Sequence, residues 1–566
     1  MKMRTGARVI VDALRQSGAD CVFGLPGTQN VALFEALRES GLRLVVATHE
    51  MSAAMMANGY YRASGRPGVL LTIPGPGFTW ALTGFAEASL DSAAILHITS
   101  KPASLPGRRF QLQAMDQAAM TAPIARKVIM IERAEDVDAA ITTAWHACHA
   151  DEPGPVLVQV ARDTWEQTIA GGGSAASAQP ATTSIDVSVI AAELLNAKRC
   201  ILLLGQGCSN AASEARQLAE QLHAIVVTTT SGRGVVAEDH PLSLSFALAG
   251  NNAGTLNSLV ECSDKVLAIG CKFSHNGSRG FRLRIPEDKL IHVDASHDVL
   301  NANYPTHVAV QADAHAFIRA LLGKITEYDI AGFSAEEAAH WRARCTEEKT
   351  RDRTEPHIRG IAGGKPAAFF AALRAVMPRE SCLITDSGRH QELARRYFPV
   401  LCPRGLITPT NLQSMGFGIG AAIGAKLAVP QRAVVALIGD GGLAMSGLEL
   451  LTAVREKLDL TVIVFADGAY GAIRDQQVTN YGHTYGTDLP ALDCAELAKA
   501  VGATYVPLDR DAEATLRSAI ASKGVKLVEV AIGDSMPMHV RHAKAIARAT
   551  IGRSLRKWVR ERRQTQ

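Results

Sequence analysis

Short apolar runs rich in β-branched residues and leucine alternate along the chain with longer stretches of helical periodicity. Gly68-Val69-Leu70-Leu71-Thr72-Ile73, Cys200-Ile201-Leu202-Leu203-Leu204-Gly205 and Ala433-Val434-Val435-Ala436-Leu437-Ile438-Gly439 are three such runs. Unbroken apolar runs of this length suit strands buried on both faces. Strands of that kind, alternating with helices, imply parallel sheets, so the expected fold class is α/β, with three doubly wound parallel-sheet domains. Ligands of such sheets sit beyond the carboxyl ends of the strands, which is where the glycine-rich turns of this sequence fall.

Two stretches interrupt the alternation. Gly171-Gly172-Gly173-Ser174-Ala175-Ala176-Ser177-Ala178-Gln179-Pro180 is small and polar with nothing to bury, and Thr326 to Lys365 is dominated by charges such as Glu347, Glu348, Lys349, Arg351, Asp352 and Arg353. They divide the chain into expected domains at 1–170, 185–330 and 366–540, followed by a tail at 541–566.

Composition then narrows the class. The chain of 566 residues is 47% hydrophobic and 20% charged, enough apolar material for several cores and too much charge for a membrane bundle. The N-terminus leads into a mixed helical pattern rather than an apolar signal core, and no run of about eighteen uncharged apolar residues occurs, so a cytoplasmic location and no membrane partner are expected. Ten scattered cysteines form no C-x-x-C pair and no zinc-like spacing, and read as buried thiols. The net charge of +4 hides a tail carrying nine Lys/Arg against Glu561 alone. No nucleic-acid motif accompanies that tail and its only aromatic is Trp558, so nucleic acid is not an expected partner.

The sharpest chemical motif is Gly439-Asp440-Gly441-Gly442, directly after a buried-strand run. Glycines there let a backbone approach a phosphate, helix N-terminal amides donate to it, and Asp440 offers a hard oxygen to the cation a diphosphate needs. Alone it is a common turn. Its specificity comes from the next strand, Leu460-Thr461-Val462-Ile463-Val464-Phe465, which ends in Asp467-Gly468-Ala469-Tyr470-Gly471, a second carboxylate at a neighbouring strand end. The arrangement resembles the diphosphate and metal motif of thiamine-diphosphate enzymes. On that resemblance Asp440, Asp467 and the Ala469 carbonyl hold Mg²⁺ or another divalent cation, while Gly439, Gly441, Gly442, Tyr470 and Gly471 lie by the cofactor. Ala466-Asp467 stands where the family usually has Asn-Asn, which keeps a hard oxygen ligand and adds one negative charge.

A second constellation runs Phe23-Gly24-Leu25-Pro26-Gly27, His49-Glu50, Gly59-Tyr60-Tyr61-Arg62-Ala63-Ser64-Gly65, Gly75-Pro76-Gly77 and Leu112-Gln113 to Asp116-Gln117. It is similar to the pyrimidine-binding domain of the acetolactate synthase, benzoylformate decarboxylase and benzaldehyde lyase superfamily, and the resemblance covers nearly the whole chain. It implies that Glu50 is the buried carboxyl that hydrogen-bonds the cofactor's pyrimidine ring, with Pro26, Gly27 and Gly75 against the cofactor. Read alone, Glu50 would be a first-turn charge balancing a helix dipole.

A third constellation joins Asp386-Ser387-Gly388-Arg389-His390-Gln391 to Asn411-Leu412-Gln413-Ser414-Met415-Gly416-Phe417-Gly418. The resemblance makes Met415 a wedge between the two cofactor rings, assigns a carbonyl near Gln413 to the cofactor amine, and sets Gly388 and His390 by the diphosphate. The middle segment has Leu204-Gly205-Gln206-Gly207 and Val293-Asp294, an incomplete dinucleotide fingerprint. Relatives bind FAD, ADP or nothing there; a structural role leads, and FAD stands as the alternative.

For the reaction, Gln29 occupies a position where lyase relatives place a His. Arg108-Arg109 precede Gln111 where simple decarboxylases carry paired histidines. A decarboxylase releasing an aldehyde needs a proton donor, so the expectation is a carboligase or lyase acting on a 2-oxo acid or 2-hydroxy ketone, with Gln29 and Gln113 as polar contacts. The alternative is non-oxidative decarboxylation of a 2-oxo acid. A lid is expected at Ala472-Ile473-Arg474-Asp475-Gln476-Gln477, where Gln476 replaces the Trp usual in acetolactate synthases. A nicotinamide oxidoreductase lacks its fingerprint here, and a scaffold would have lost Glu50 or Gly-Asp-Gly. Half sites at opposite ends of the chain imply a homodimer or homotetramer with active sites at the subunit interface and small 2-oxo acid or aldehyde substrates.

Overall fold

The computed structural model describes residues 3–101, 108–170, 186–244, 253–327, 335–350 and 366–531. The linker at 171–180, the charged residues 351–365 and the basic tail at 541–566 lie outside the described residues.

Three parallel sheets follow one another along the chain, each from its own stretch of sequence. The first orders its strands Arg43–Val46, Cys21–Gly24, Gly68–Thr72, Ile95–Lys101, Val156–Ala161, Lys127–Ile131. The third orders Leu406–Ile407, Ser381–Thr385, Ala433–Gly439, Leu460–Ala466, Val525–Ala531, Thr504–Pro507, the same topology. The middle sheet orders Ile225–Thr228, Cys200–Leu204, Lys265–Ile269, Leu290–Asp294, Val308–Gln311. A short antiparallel pair, Met3–Thr5 with Thr168–Ala170, closes the first unit.

The apolar runs become strands because helices cover both faces: Gly68–Thr72 and Cys200–Leu204 are buried at every position. In each sheet the strand order reverses between the first and third strands of the unit, and the crevice for a ligand opens at that reversal. The turns at these three switch points are the glycine-rich segments: Gly24 to Gly27 with Ile73 to Gly77, Gly205 to Gly207 with Gly270, and Asp386 to His390 with Gly439 to Gly442.

The first and third units meet along two helices, Glu50–Ser64 and Phe417–Ala428. Alanine and glycine dominate the seam. A Cβ on Gly424 would collide with the Met56 carbonyl oxygen, one on Gly59 with the Ala421 carbonyl oxygen, and one on Gly420 would stand 2.9 Å from Ser52 O and Met55 Cβ. Backbones approach this closely only without side chains between them. Left-handed residues set the ends of these helices, with Gly65 (φ 79°) closing the first and Gly416 (φ 81°) opening the second.

Buried polar groups fix the remaining angles between units. Arg62, on the first unit, pairs with Asp91 at 2.9 Å and donates to Thr408 O at 2.7 Å on the third, while Asp91 also accepts from Thr410. Arg233 of the middle unit pairs with Glu238 at 2.6 Å and donates to Phe398 O at 2.6 Å, and Glu238 accepts from Val400 N at 2.9 Å. All ten cysteines are free, nine of them buried, and burial pushes thiols such as Cys200 up to about 12. No helix among the described residues is long and apolar enough to cross a membrane.

The seam yields a contrast between two glycines. Gly424→Ala should cost at least about 2 kcal/mol of unfolding free energy through overpacking. Gly323→Ala, inside Ala314–Ile325 with nothing within 4 Å of the new methyl, should gain about 0.5–1 kcal/mol. Urea denaturation of both variants checks the signs.

Candidate active site

Around the third sheet's switch point the backbone is held by a buried carboxylate. Asp386 accepts from the N–H groups of Ser387 (2.6 Å), Gly416 (3.0 Å) and Gly418 (3.1 Å). Burial pushes its carboxyl up to about 6, against the pull of those donors. This ties the loop carrying Gln413 and Met415 to the turn carrying Gly388 and His390. Gly442 is glycine because a Cβ would stand 2.8 Å from Asp386 Oδ2. Gly388 has φ 148°, and the His390 ring fills the space a Cβ would take. Burial lowers His390 to about 4, and its Nε2 has no hydrogen-bond partner.

Gly441 lies under two side chains: a Cβ there would be 2.9 Å from the Tyr470 ring and 3.0 Å from Met415 Cε. Asp440 Oδ1 accepts from Gly441 N at 2.9 Å and Oδ2 from Gly468 N at 2.7 Å, so the carboxylate bridges two adjacent strand ends. Burial raises it nonetheless. Asp467 is pushed up to about 6, chiefly by burial, with Asp440 adding to the rise and Arg389 opposing it. Arg389 Nη1 lies 3.1 Å from the Asp467 carboxylate. Ala469 is buried beside them and Tyr470 N donates to Thr487 O at 2.9 Å.

Some local expectations change. The helix after the Gly-Asp-Gly turn starts at Asp440 itself, so its first N–H groups lie within the glycine motif. The segment expected as a lid forms the first turns of the Gly471–Tyr481 helix. Within it Arg474 pairs with Asp488 at 2.5 Å.

At the first sheet's switch point Glu50 opens the Glu50–Ser64 helix and is 6% exposed. Its Oε2 is buried without a partner, and Oε1 lies 2.9 Å from where a Cβ on Gly77 would be. Gly75 (φ 70°) has room for no side chain because Gln113 packs against it, and its N–H donates to Gln117 at 3.2 Å. Gln117 donates to Ser100 O at 3.0 Å and Ser100 donates to Gln29 O at 2.8 Å. One chain of contacts therefore gathers Glu50, Gly75, Gln113 and Gln29, and the amide oxygens of both glutamines are buried and unpartnered. Pro26 and Gly27 form the adjoining turn, pinned by Asn30 accepting from Gly27 N at 2.8 Å.

The two clusters adjoin: Met51 Cε comes within 3.1 Å of a Cβ on Gly416, and Glu87 accepts from Ser414 N at 2.9 Å. Glu87 is raised to about 7 by burial first and by Asp91 second. Glu449 likewise crosses between units to accept from Thr48 N at 3.0 Å. Sequence reasoning missed Arg389, Glu87 and Glu449. The only signal for Arg389 was the extra charge of Asp467, which demands a partner once buried. A cavity of about 360 Å³ opens at the middle switch point, lined by Gln206, Thr229, Gly270, Asp294 and Arg62 among others. Gly205 and Gly207 are needed there for close packing against Gly270.

Comparison with known proteins fits this architecture unit by unit. Residues 4–120 match the thiamine pyrophosphate enzyme N-terminal TPP binding domain, 187–321 the central domain and 386–530 the C-terminal TPP binding domain. The chain is 29% identical over 541 residues to the acetolactate synthase isozyme 1 large subunit of Escherichia coli K12, covering 94% of each. It is 32% identical over 544 residues to a probable 2-ketoarginine decarboxylase of Pseudomonas aeruginosa, again 94% of each. It is 28% identical over 563 residues to a probable acetolactate synthase large subunit of Methanocaldococcus jannaschii, covering 94% of this chain and 93% of the relative. With all three family domains matched in order and two glycine-rich switch points carrying the expected turns, the chain belongs to the thiamine pyrophosphate enzymes.

Proposed function

We propose that this enzyme uses thiamine diphosphate and a divalent cation to form or cleave a carbon–carbon bond next to the carbonyl of a 2-oxo acid or 2-hydroxy ketone, as a carboligase of the acetolactate synthase kind. The observation that carries this reading is Glu50: a carboxyl buried at a helix start, with one oxygen that no donor among the described residues answers. A buried polar atom left unpaired is costly, and a ligand that completes it fits.

The donor set fits the cofactor at its other end as well. Glycines at 439, 441 and 442 leave room where diphosphate oxygens must approach the backbone, and the unpartnered His390 Nε2 lies beside Gly388. Among the described residues no three His, Cys, Asp or Glu side chains gather as a cation site. Asp440, Asp467 and the Ala469 carbonyl form the partial shell that suits Mg²⁺, which takes its remaining oxygens from phosphate and water. When bound, thiamine diphosphate supplies a carbon nucleophile and a sink for the electron pair of the cleaved bond. Glu50 would hydrogen-bond the pyrimidine, Met415, packed over Gly441, would support the cofactor between its two ends, and the Gln29 and Gln113 amides would meet the oxygens of substrate.

Carboligation is favoured over simple release by the histidines. His97 is sealed between Phe78 and Phe85, and burial lowers it to about 3. His49 caps its own helix through Met51 N at 3.1 Å and stacks on Trp80. Neither is offered as the proton donor that aldehyde release requires. The middle cavity has a strand-end carboxylate, Asp294, of the kind that meets a nucleotide ribose. Carboligation is redox-neutral, so FAD there would serve structure rather than electron transfer.

A second copy of the chain completes the assembly in this reading. Trp80 (54% exposed), Met445 (51%) and Leu448 (62%) are large apolar side chains beside the two half sites, the kind of surface a partner covers. The enzyme is a homodimer or a dimer of dimers.

Three measurements test the reading. The purified protein should bind thiamine diphosphate with Mg²⁺, lack a flavin spectrum, and convert a 2-oxo acid to a ligated product only when an aldehyde or second oxo acid is added. Acceptor-independent aldehyde release would establish the decarboxylase instead. Glu50→Gln should lower kcat by about 10²-fold or more with the thermal melt unchanged, and activity within a few fold would refute its role. Light scattering at micromolar protein should give a dimer or larger; a fully active monomer would remove the shared-site assembly.

A further inference from the structure

Asp467 brings a second negative charge to a site that must accept a diphosphate, and it is only 12% exposed. Buried beside Asp440, it feels both desolvation and a like charge. Arg389 answers it at contact distance, while Arg474 acts on it from farther off. Arg389 Nη1 contacts the Asp467 carboxylate at 3.1 Å, and Nη2 contacts Asp475 at 2.9 Å and donates to Gly471 O at 3.2 Å. The guanidinium is therefore clamped between the cation-side carboxylate and the start of the Gly471–Tyr481 helix. Its Nε, beside Gly471, is buried and keeps an unanswered donor.

We propose that Arg389 is the positioning residue that makes an aspartate tolerable at position 467: its charge offsets that of Asp467 and its fork holds the Asp467 carboxylate in place. A guanidinium suits this because it stays charged and presents donors to two carboxylates at once. The inference rests on the cation-site reading above. It predicts a charge pairing between positions 389 and 467, which packing alone would not produce.

The test is a set of binding titrations on the full-length protein, with thiamine diphosphate followed by intrinsic fluorescence and Mn²⁺ followed by electron paramagnetic resonance. Arg389→Gln should weaken thiamine diphosphate binding on the order of tenfold, since the anion then meets an uncompensated carboxylate. Adding Asp467→Asn to Arg389→Gln should restore the affinity to within about threefold of wild type. A double variant no better than Arg389→Gln alone would overturn the pairing. Asp440→Asn separates the two levels. If it abolishes Mn²⁺ binding while the pair shows no rescue, the cation site stands and the inference falls. If Asp440→Asn leaves Mn²⁺ binding intact, the cation-site reading and the inference fall together.

Discussion

The structure depends on two helix backbones coming closer than side chains allow. Where Glu50–Ser64 crosses Phe417–Ala428, the Met56 and Ala421 carbonyl oxygens occupy the space of side chains that Gly424 and Gly59 do not have. Interiors of this density are not continuously deformable, so the crossing fixes the first unit against the third. Glu50 opens one of these helices and Met415 and Gly416 precede the other, so the same contact fixes those two segments of one chain against each other. Function here is a consequence of helix packing before it is a matter of side-chain chemistry.

Buried charge supplies what the seam leaves undetermined. Arg62 to Thr408, Arg233 to Phe398, Glu87 with Ser414 and Glu449 with Thr48 each reach from one unit into another. Such groups give up hydration and gain little net stability, yet breaking one leaves an unpaired charge in a low-dielectric interior. Their effect is orientation. Glu87 and Asp91, four residues apart on one helical face and its end, anchor the 410–414 loop from the first unit, so the loop bearing Gln413 answers to a helix distant in sequence. Burial first and Asp91 second raise Glu87 to about 7, while its bonds to Ser414 oppose the rise.

Electrostatics in the third unit follow the same logic at the reactive end. Backbone N–H groups converge on Asp386 and Asp440, so both carboxylates are satisfied without cations of the protein. Asp467 differs: it faces Asp440 and is answered by an arginine. Two carboxylates buried this close together need charge balanced locally, because burial leaves little solvent to screen it.

Periodicity was enough for the sheets. The runs at 68–72, 200–204, 433–439 and 460–466 are strands because a continuous apolar run can be solvated on neither face, and that requirement is local to the sequence. Turn chemistry was legible as glycine-rich strand ends, but only Gly388 is demanded by its immediate neighbour His390; Gly75, Gly441 and Gly442 make room for Gln113, Tyr470 and Asp386 from distant segments. The Ser100 and Gln117 bridge that brings Gln29 to Gly75 and Gln113, the seam glycines as a set, the helical form of the 472–477 segment and the partnership of Arg389 with Asp467 were not legible. Each depends on which distant segments come to lie together, and a buried charge declares its partner only after the chain has closed around it. The sequence by itself determined strands, turns and the kinds of chemistry on offer. Tertiary structure alone decided which of those groups are neighbours, because contact between segments hundreds of residues apart is set by packing and desolvation rather than by spacing along the chain.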